Sequence, residues 1–332
     1  MGGAVTAQAL VAALREPGGV LALDPAGWTA LVAMARAEQL EGQLAHRLTG
    51  LVLPPAAERW REDAIAAAGQ ARVTALWEAT VALDALAPLG VPLVLLKGTA
   101  YAAAGLSPAV GRTIGDLDIL VPREALGAVE AALLASGWAL LKDDAYDDAY
   151  YRRWMHELPP LVRVESGRLI DVHHTILPPT ARPTPDAVAM LADAVPLGGG
   201  WSVPCPEDMV IHSAAHLFAD GDLAGGLRNL WDIHRLLEEF DGPGLHERLT
   251  ARAARHQLAE PVGRATRLAA HLFGEGGRLT AADRLYVRRL LARDGWGREV
   301  RPATRLAFYI RSHWLRMPPL MLARHLWVKA TR

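Results

Sequence analysis

Cysteine is almost missing from this sequence: Cys205 stands alone among 332 residues. A single thiol can close no internal disulfide and has no second cysteine for a thiolate metal cluster, which suits a reducing interior and makes Cys205 a structural residue. An excess of one charge is missing too. The formal net charge is −1, so no overall basic field draws in nucleic acid, although a local basic cleft stays open. Nowhere do about 18 uninterrupted apolar residues occur, the length needed to cross a bilayer. The first 25 residues lack a basic start followed by an apolar run, since Arg15, Glu16 and Asp24 interrupt it, and no secretory signal is expected there. A cytoplasmic protein without a membrane partner is the expectation. Also absent are the Gly-x-x-x-x-Gly-Lys-Ser/Thr phosphate loop, the Gly-x-Ser-x-Gly elbow and the Gly-x-Gly-x-x-Gly fingerprint. Kinases, hydrolases and dinucleotide enzymes of those types are disfavoured.

What is present is an ordinary globular composition, 51% hydrophobic and 21% charged, long enough for two or three compact units. From Val5 to about Leu86, alanine and leucine alternate with charge at helical intervals, as in Trp28 to Leu48 and Ala56 to Leu86. Pro88, Gly90 and Pro92 break that pattern, and Val91 to Leu96 reads as a buried strand. Thr99 to Ala104 reads as a helical turn. An irregular stretch then leads to the strand Asp116 to Val121, and a helix runs from Pro122 to about Ser136, closed by Gly137. Trp138 to Leu141 is another strand, and the acidic, tyrosine-rich Lys142 to Arg153 a loop or short helix. Leu161 to Glu165 and Arg168 to Val172 flank Ser166-Gly167, a two-residue hairpin connection. Pro178 to Pro185 and Gly198-Gly199-Gly200 read as connections. Beyond Pro206 the pattern is helical, with candidates at Glu207 to Phe218, Leu227 to Phe240, Leu245 to Leu258, Pro261 to Phe273 and Ala281 to Leu291, and two more toward the C-terminus.

The chemistry centres on Asp116-Leu117-Asp118-Ile119-Leu120-Val121. In a strand, residues i and i+2 share a face, so Asp116 and Asp118 project together while Leu117 and Ile119 pack inward. Two carboxylates side by side repel by an energy on the order of kcal/mol unless a cation joins them or one is protonated. Mg²⁺ suits such a pair because it takes hard oxygen ligands and is usually completed by substrate phosphates. Asp171, near the end of the second hairpin strand, can lie beside them in the same sheet. Three carboxylates holding two ions would suit in-line displacement at phosphorus with pyrophosphate leaving. Gly98 fits because a residue without a side chain lets backbone N–H groups approach phosphates closely, with Lys97 and Thr99 adding a cation and a hydroxyl.

Leu95-Leu96-Lys97-Gly98-Thr99-Ala100, Gly111-Arg112-Thr113-Ile114-Gly115-Asp116-Leu117-Asp118 and Ile170-Asp171-Val172-His173-His174 together resemble the uncharacterised nucleotidyltransferase family of the DNA polymerase β-like superfamily. The likeness covers about residues 88–178 and extends loosely through His212 to Leu237. It implies an α+β fold: a palm-like, mixed, largely antiparallel sheet with helices, flanked by helical regions. With the pattern along the chain, the expected organisation is a helical region at 1–88, a nucleotidyltransferase core at 89–178, a linker at 179–205 and a helical domain at 206–332. It further implies Mg²⁺, as two ions with Mn²⁺ able to substitute, on Asp116, Asp118 and Asp171. Asp171 would also help deprotonate the acceptor. Lys97, Gly98, Thr99 and Arg112 would meet a nucleoside triphosphate. One departure is the insert after Thr99, longer than the superfamily's usual spacing before its first aspartate.

The expected reaction moves a nucleoside monophosphate, most simply AMP from ATP, onto a hydroxyl or phosphate acceptor. Near-neutral charge favours a small molecule, peptide or protein over a polynucleotide. The alternative is a non-catalytic, antitoxin-like nucleotide-binding module acting through a protein partner.

Several residues keep two readings. Arg112 neutralises a phosphate or pairs with Asp116 or another acid, and Lys97 is a phosphate contact or a solvated strand end. His173 and His174 touch the acceptor or bond to the loop. His212 and His216, at i and i+4, offer a zinc pair or pack against the sheet. Arg228 and Asp232 form a helix-surface ion pair or face the site. Tyr146, Tyr150, Tyr151 and Trp154, beside Asp143, Asp144, Asp147 and Asp148, suggest a loop facing the acceptor.

Overall fold

The computed structural model describes residues 6–142, 144–316 and 327. Helices α1 (Ala7–Arg15), α2 (Pro25–Ala37), α3 (Glu41–Arg47) and the long α4 (Pro55–Leu86) form the N-terminal region. Asp24 caps α2 by accepting from Gly27 N at 2.7 Å, with Pro25 at the first helical position. The continuous pattern from Trp28 to Leu48 divides between α2 and α3 because Gln39 takes a left-handed conformation, φ 56°. Next come α5 (Lys97–Ala103), α6 (Leu126–Ala135), α7 (Ala145–Trp154) and α8 (Ala187–Ala192). The C-terminal region holds α9 (Pro206–Ala215), α10 (Gly226–Glu239), α11 (Leu245–Arg255), α12 (Ala259–Leu272), α13 (Ala281–Leu290) and α14 (Pro302–Arg316). Two helices are expected near the C-terminus; α14 lies there, and residues 317–326 and 328–332 are outside the described residues.

Seven strands form one sheet: β1 (Val94–Leu95), β2 (Asp116–Leu120), β3 (Trp138–Leu140), β4 (Leu161–Arg163), β5 (Leu169–His173), β6 (Val195–Gly198) and β7 (Trp201–Val203). Their order is β3-β4-β5-β2-β1-β7-β6, with β2–β5 and β1–β7 parallel and the other pairs antiparallel. This is the mixed, largely antiparallel α+β sheet that the resemblance implies. Leu117, Ile119, Ile170 and Val172 are buried in its core, and α4 packs against β2, α5 and α6.

The stretch 179–205 departs from its expectation as a linker. It carries α8 and the β6–β7 hairpin, turned at Gly198, Gly199 and Gly200, all with positive φ. β7 extends the sheet by pairing with β1 at Val94↔Ser202. A glycine run beside short strands carries little local strand signal, and the distant pairing supplies the order.

One close approach fixes the segment before β2 onto α3. A Cβ on Gly111 would sit 2.3 Å from Gly42 O, and one on Gly42 would sit 2.3 Å from Gly111 O. Both obstacles are backbone, so neither can swing aside. Gly111→Ala, which also places a side chain at φ 73°, is expected to cost about 1–3 kcal/mol by overpacking. A urea titration checks this; an unchanged midpoint would show that the two backbones can part freely.

Candidate active site

In the parallel register of β2 and β5, Asp118 lies opposite Asp171 and Leu120 opposite His173. Strand alternation then puts Asp116, Asp118, Asp171 and His173 on one face. Ligand oxygens of Asp116, Asp118 and Asp171 all lie within 4.8 Å of one another. The convergence expected from spacing alone is therefore present.

The three carboxyls sit in different surroundings. Asp116 is exposed, whereas Asp118 is 2% exposed. Its Oδ1 accepts from Lys97 Nζ at 2.6 Å and lies 2.9 Å from His173 Nε2. Burial opposes ionisation of Asp118, but the Lys97 ammonium and His173 outweigh it and hold the carboxyl well below its usual range. Asp171 goes the other way. Burial, followed by the charges of Asp118 and Glu157, pushes it up to about 7, and its Oδ1 is buried with no hydrogen-bond partner. Such a carboxylate group fits a divalent cation, which would satisfy the orphaned oxygen and relieve the repulsion.

The difference between Asp118 and Asp171 gives a pH prediction for the ion-free protein. Asp171 ionises at about 7 in the fold but at about 3.9 when unfolded, so the native state holds its proton longer. The stability this contributes is complete below about pH 4 and is lost as pH rises through 7. Asp118, depressed instead, contributes stability that is lost only as pH falls below about 4. Asp171→Asn is expected to flatten the decline between pH 4 and 8 in urea midpoints; the same slope in both proteins would contradict it.

The residues expected at the phosphates are more diverse. Lys97, at the start of α5 with φ 48°, is Asp118's counterion and not a solvated strand end. Gly98 is buried beside it, but the space a Cβ would take belongs to Arg112, whose Nη1 lies 1.8 Å from that position. Its missing side chain thus makes room for a guanidinium. Thr99 is buried, and its Oγ1 has no partner. Arg112 is buried and donates from Nε to Asp232 Oδ2 at 2.9 Å. It forms an ion pair, with an acid on α10.

That pairing also corrects the i, i+4 reading of Arg228 and Asp232. Asp232 accepts from Arg112 and from Gln43 Nε2 at 3.2 Å, joining α3, the loop before β2 and α10. Arg228 donates to Gln39 Oε1 and Asn229 Oδ1, and its Nε is buried without a partner. Burial and the Arg112 charge lower its pKa, while Asp232, Asp116 and Asp118 pull it back.

His173 shares the aspartates' face, while His174 turns to the loop, its Nε2 3.3 Å from Met155 O. His212 lies on α9, and His216 opens the π-helical turn His216–Asp220. Burial and the Lys97 charge keep both imidazoles neutral, His216 at about 3. Neither belongs to a group of three potential metal ligands among the described residues. Tyr146, Tyr150, Tyr151 and Trp154 lie on α7, which Arg152 ties to Glu130 of α6 at 2.7 and 2.8 Å; Asp143 lies outside the described residues. Cys205 sits at the N-terminal cap of α9, its thiol pushed up to about 12 by burial and Asp208, in keeping with a structural role. Spacing along the chain could not find Glu157, Gln43 or His156, because tertiary contacts alone bring them in.

A family model described as uncharacterised nucleotidyltransferase matches residues 24–274, from the N-terminal helices through the whole sheet to α12. The solution structure of the antibiotic-resistance factor ANT(2'')-Ia aligns at a TM-score of 0.38 and 15% identity, over 55% of this chain and 91% of that one. No curated protein matches the chain.

Proposed function

Because the chain belongs to the uncharacterised nucleotidyltransferase family, we propose that it moves a nucleoside monophosphate, most simply AMP from ATP, onto a hydroxyl or phosphate acceptor with release of pyrophosphate. The acceptor class that fits a net charge of −1 is a small molecule, peptide or protein. One observation carries this reading: Asp116, Asp118 and Asp171 converge within 4.8 Å on a shared sheet face.

Asp116, Asp118 and Asp171 would hold Mg²⁺, which when bound supplies charge neutralisation at the transferring phosphoryl group. Lys97 keeps Asp118 ionised and fixed by its 2.6 Å contact. Asp171, opposite Asp118 on the neighbouring strand, would also accept the acceptor's proton. Arg228, whose charge interacts with Asp116 and Asp118, would offer a guanidinium fork to donor phosphates. Arg112, committed to Asp232, holds the loop before β2 in position.

The test is incubation with Mg²⁺, ATP labelled at the α-phosphate and candidate acceptors, with products weighed by mass spectrometry. The account expects an acceptor heavier by one nucleotide together with pyrophosphate. Free AMP or a cyclic nucleotide as the sole product would replace transfer with hydrolysis or cyclisation. Nucleotide binding without turnover would favour the non-catalytic module.

A further inference from the structure

Beside the aspartates lies a second group of ligating side chains. His156, Glu157 and His173 each offer an atom within 4.8 Å of the others. Glu157 faces His173 across an antiparallel bridge, with Leu158 N donating to Val172 O and His174 N to His156 O, both at 2.9 Å. Backbone pairing thus sets the three side chains together. His173 Nδ1 lies 3.5 Å from Glu157 Oε2, and His156 Nε2 lies 3.8 Å from the same oxygen.

His173 Nε2 lies 2.9 Å from Asp118 Oδ1, so Nδ1 is the ring nitrogen turned toward Glu157. His173 is 1% exposed and its Nδ1 has no hydrogen-bond partner, while His156, 8% exposed, turns Nε2 toward the same carboxylate oxygen. The separations of 3.5 and 3.8 Å approach the edge of about 3.3–3.4 Å of a tetrahedron whose ligands stand 2.0–2.1 Å from zinc.

We propose that His156, Glu157 and His173 bind one transition-metal ion of the zinc class, separate from the magnesium site formed by the aspartates. Two imidazoles and one carboxylate select such an ion over Mg²⁺. Three protein ligands leave a fourth position open. Asp118 becomes the outer partner of a metal-bound imidazole, the arrangement that fixes a ligating histidine's ring and tautomer. The ion would thereby hold His173, and through it Asp118, in place. This assignment does not depend on which group the enzyme transfers.

Cobalt is the probe, because its visible spectrum reports coordination. Chelator-treated full-length protein is titrated with Co²⁺ in the absence of nucleotide. The expected result is one equivalent with the intense bands of four-coordinate cobalt, displaced by one equivalent of Zn²⁺. Glu157→Gln, close in shape, and His156→Gln are each expected to abolish those bands, while Asp116→Asn keeps them. A melting curve for each variant shows whether it is folded. Weak six-coordinate bands alone, with no intense four-coordinate ones in the native protein, would overturn the site, and so would intense bands that survive Glu157→Gln in a folded variant.

Discussion

Asp232→Ala is expected to lower stability by about 3–5 kcal/mol, the cost of leaving a buried cation without its partner. Asp232 is 2% exposed, and the Arg112 side chain it pairs with is 8% exposed. Arg112 cannot turn to water for compensation, because its guanidinium fills the space beside Gly98. Gln43 loses the closer of its two acceptors, keeping only Pro108 O at 3.5 Å. The damage would spread to the site, since the same pair holds the loop that enters β2 at Asp116. Replacing both partners by apolar residues, Arg112→Met with Asp232→Leu, removes the unpaired charge and is expected to recover most of the loss. Chemical denaturation of the single and double variants measures this. A single variant as stable as the native protein would mean that the pair contributes nothing.

The second large effect separates the two aspartates of β2. Asp116→Asn is expected to reduce turnover by about 10²–10³-fold or more, the scale for removing one preorganised electrostatic contact. Its stability should stay within about 0.5 kcal/mol, because Asp116 is exposed. Asp118→Asn should lose at least as much activity and also about 2–3 kcal/mol of stability, by stranding Lys97 and His173. That figure is smaller than for Arg112 because Lys97 keeps 24% of its side-chain surface and can reach water. Melting temperature and rate, measured on the same preparations, distinguish the two. If both variants melted alike, the Lys97 and Asp118 contact would carry no energy.

Local period made part of this site legible. Asp116 and Asp118 stood out because a spacing of two in a strand means one face, and the hairpin around Ser166-Gly167 placed Asp171 on a neighbouring strand. The helices after Pro206 followed from the 3.6-residue apolar pattern, and α9 to α13 lie where that pattern puts them. Distant pairing was not legible. Gly98 read as a phosphate approach, yet its open side is filled by Arg112 from beyond the insert. Asp232 read as half of a helix-surface pair, whereas its partners come from α3 and the loop before β2. The β6–β7 hairpin was hidden because Gly198 to Gly200 reads as a connection until β1 supplies its neighbour. A sequence shows which residues share an element's face, but not which element that face meets.

The central claim is that Asp116, Asp118 and Asp171 jointly hold divalent metal against a nucleoside triphosphate. Calorimetric titration of a non-hydrolysable ATP analogue, with and without Mg²⁺, measures this without knowledge of the acceptor. The account predicts binding that Mg²⁺ strengthens in the native protein, and that Asp116→Asn and Asp171→Asn reduce to the magnesium-free level. Equal affinity with and without Mg²⁺, or full magnesium dependence surviving in both variants, would contradict it.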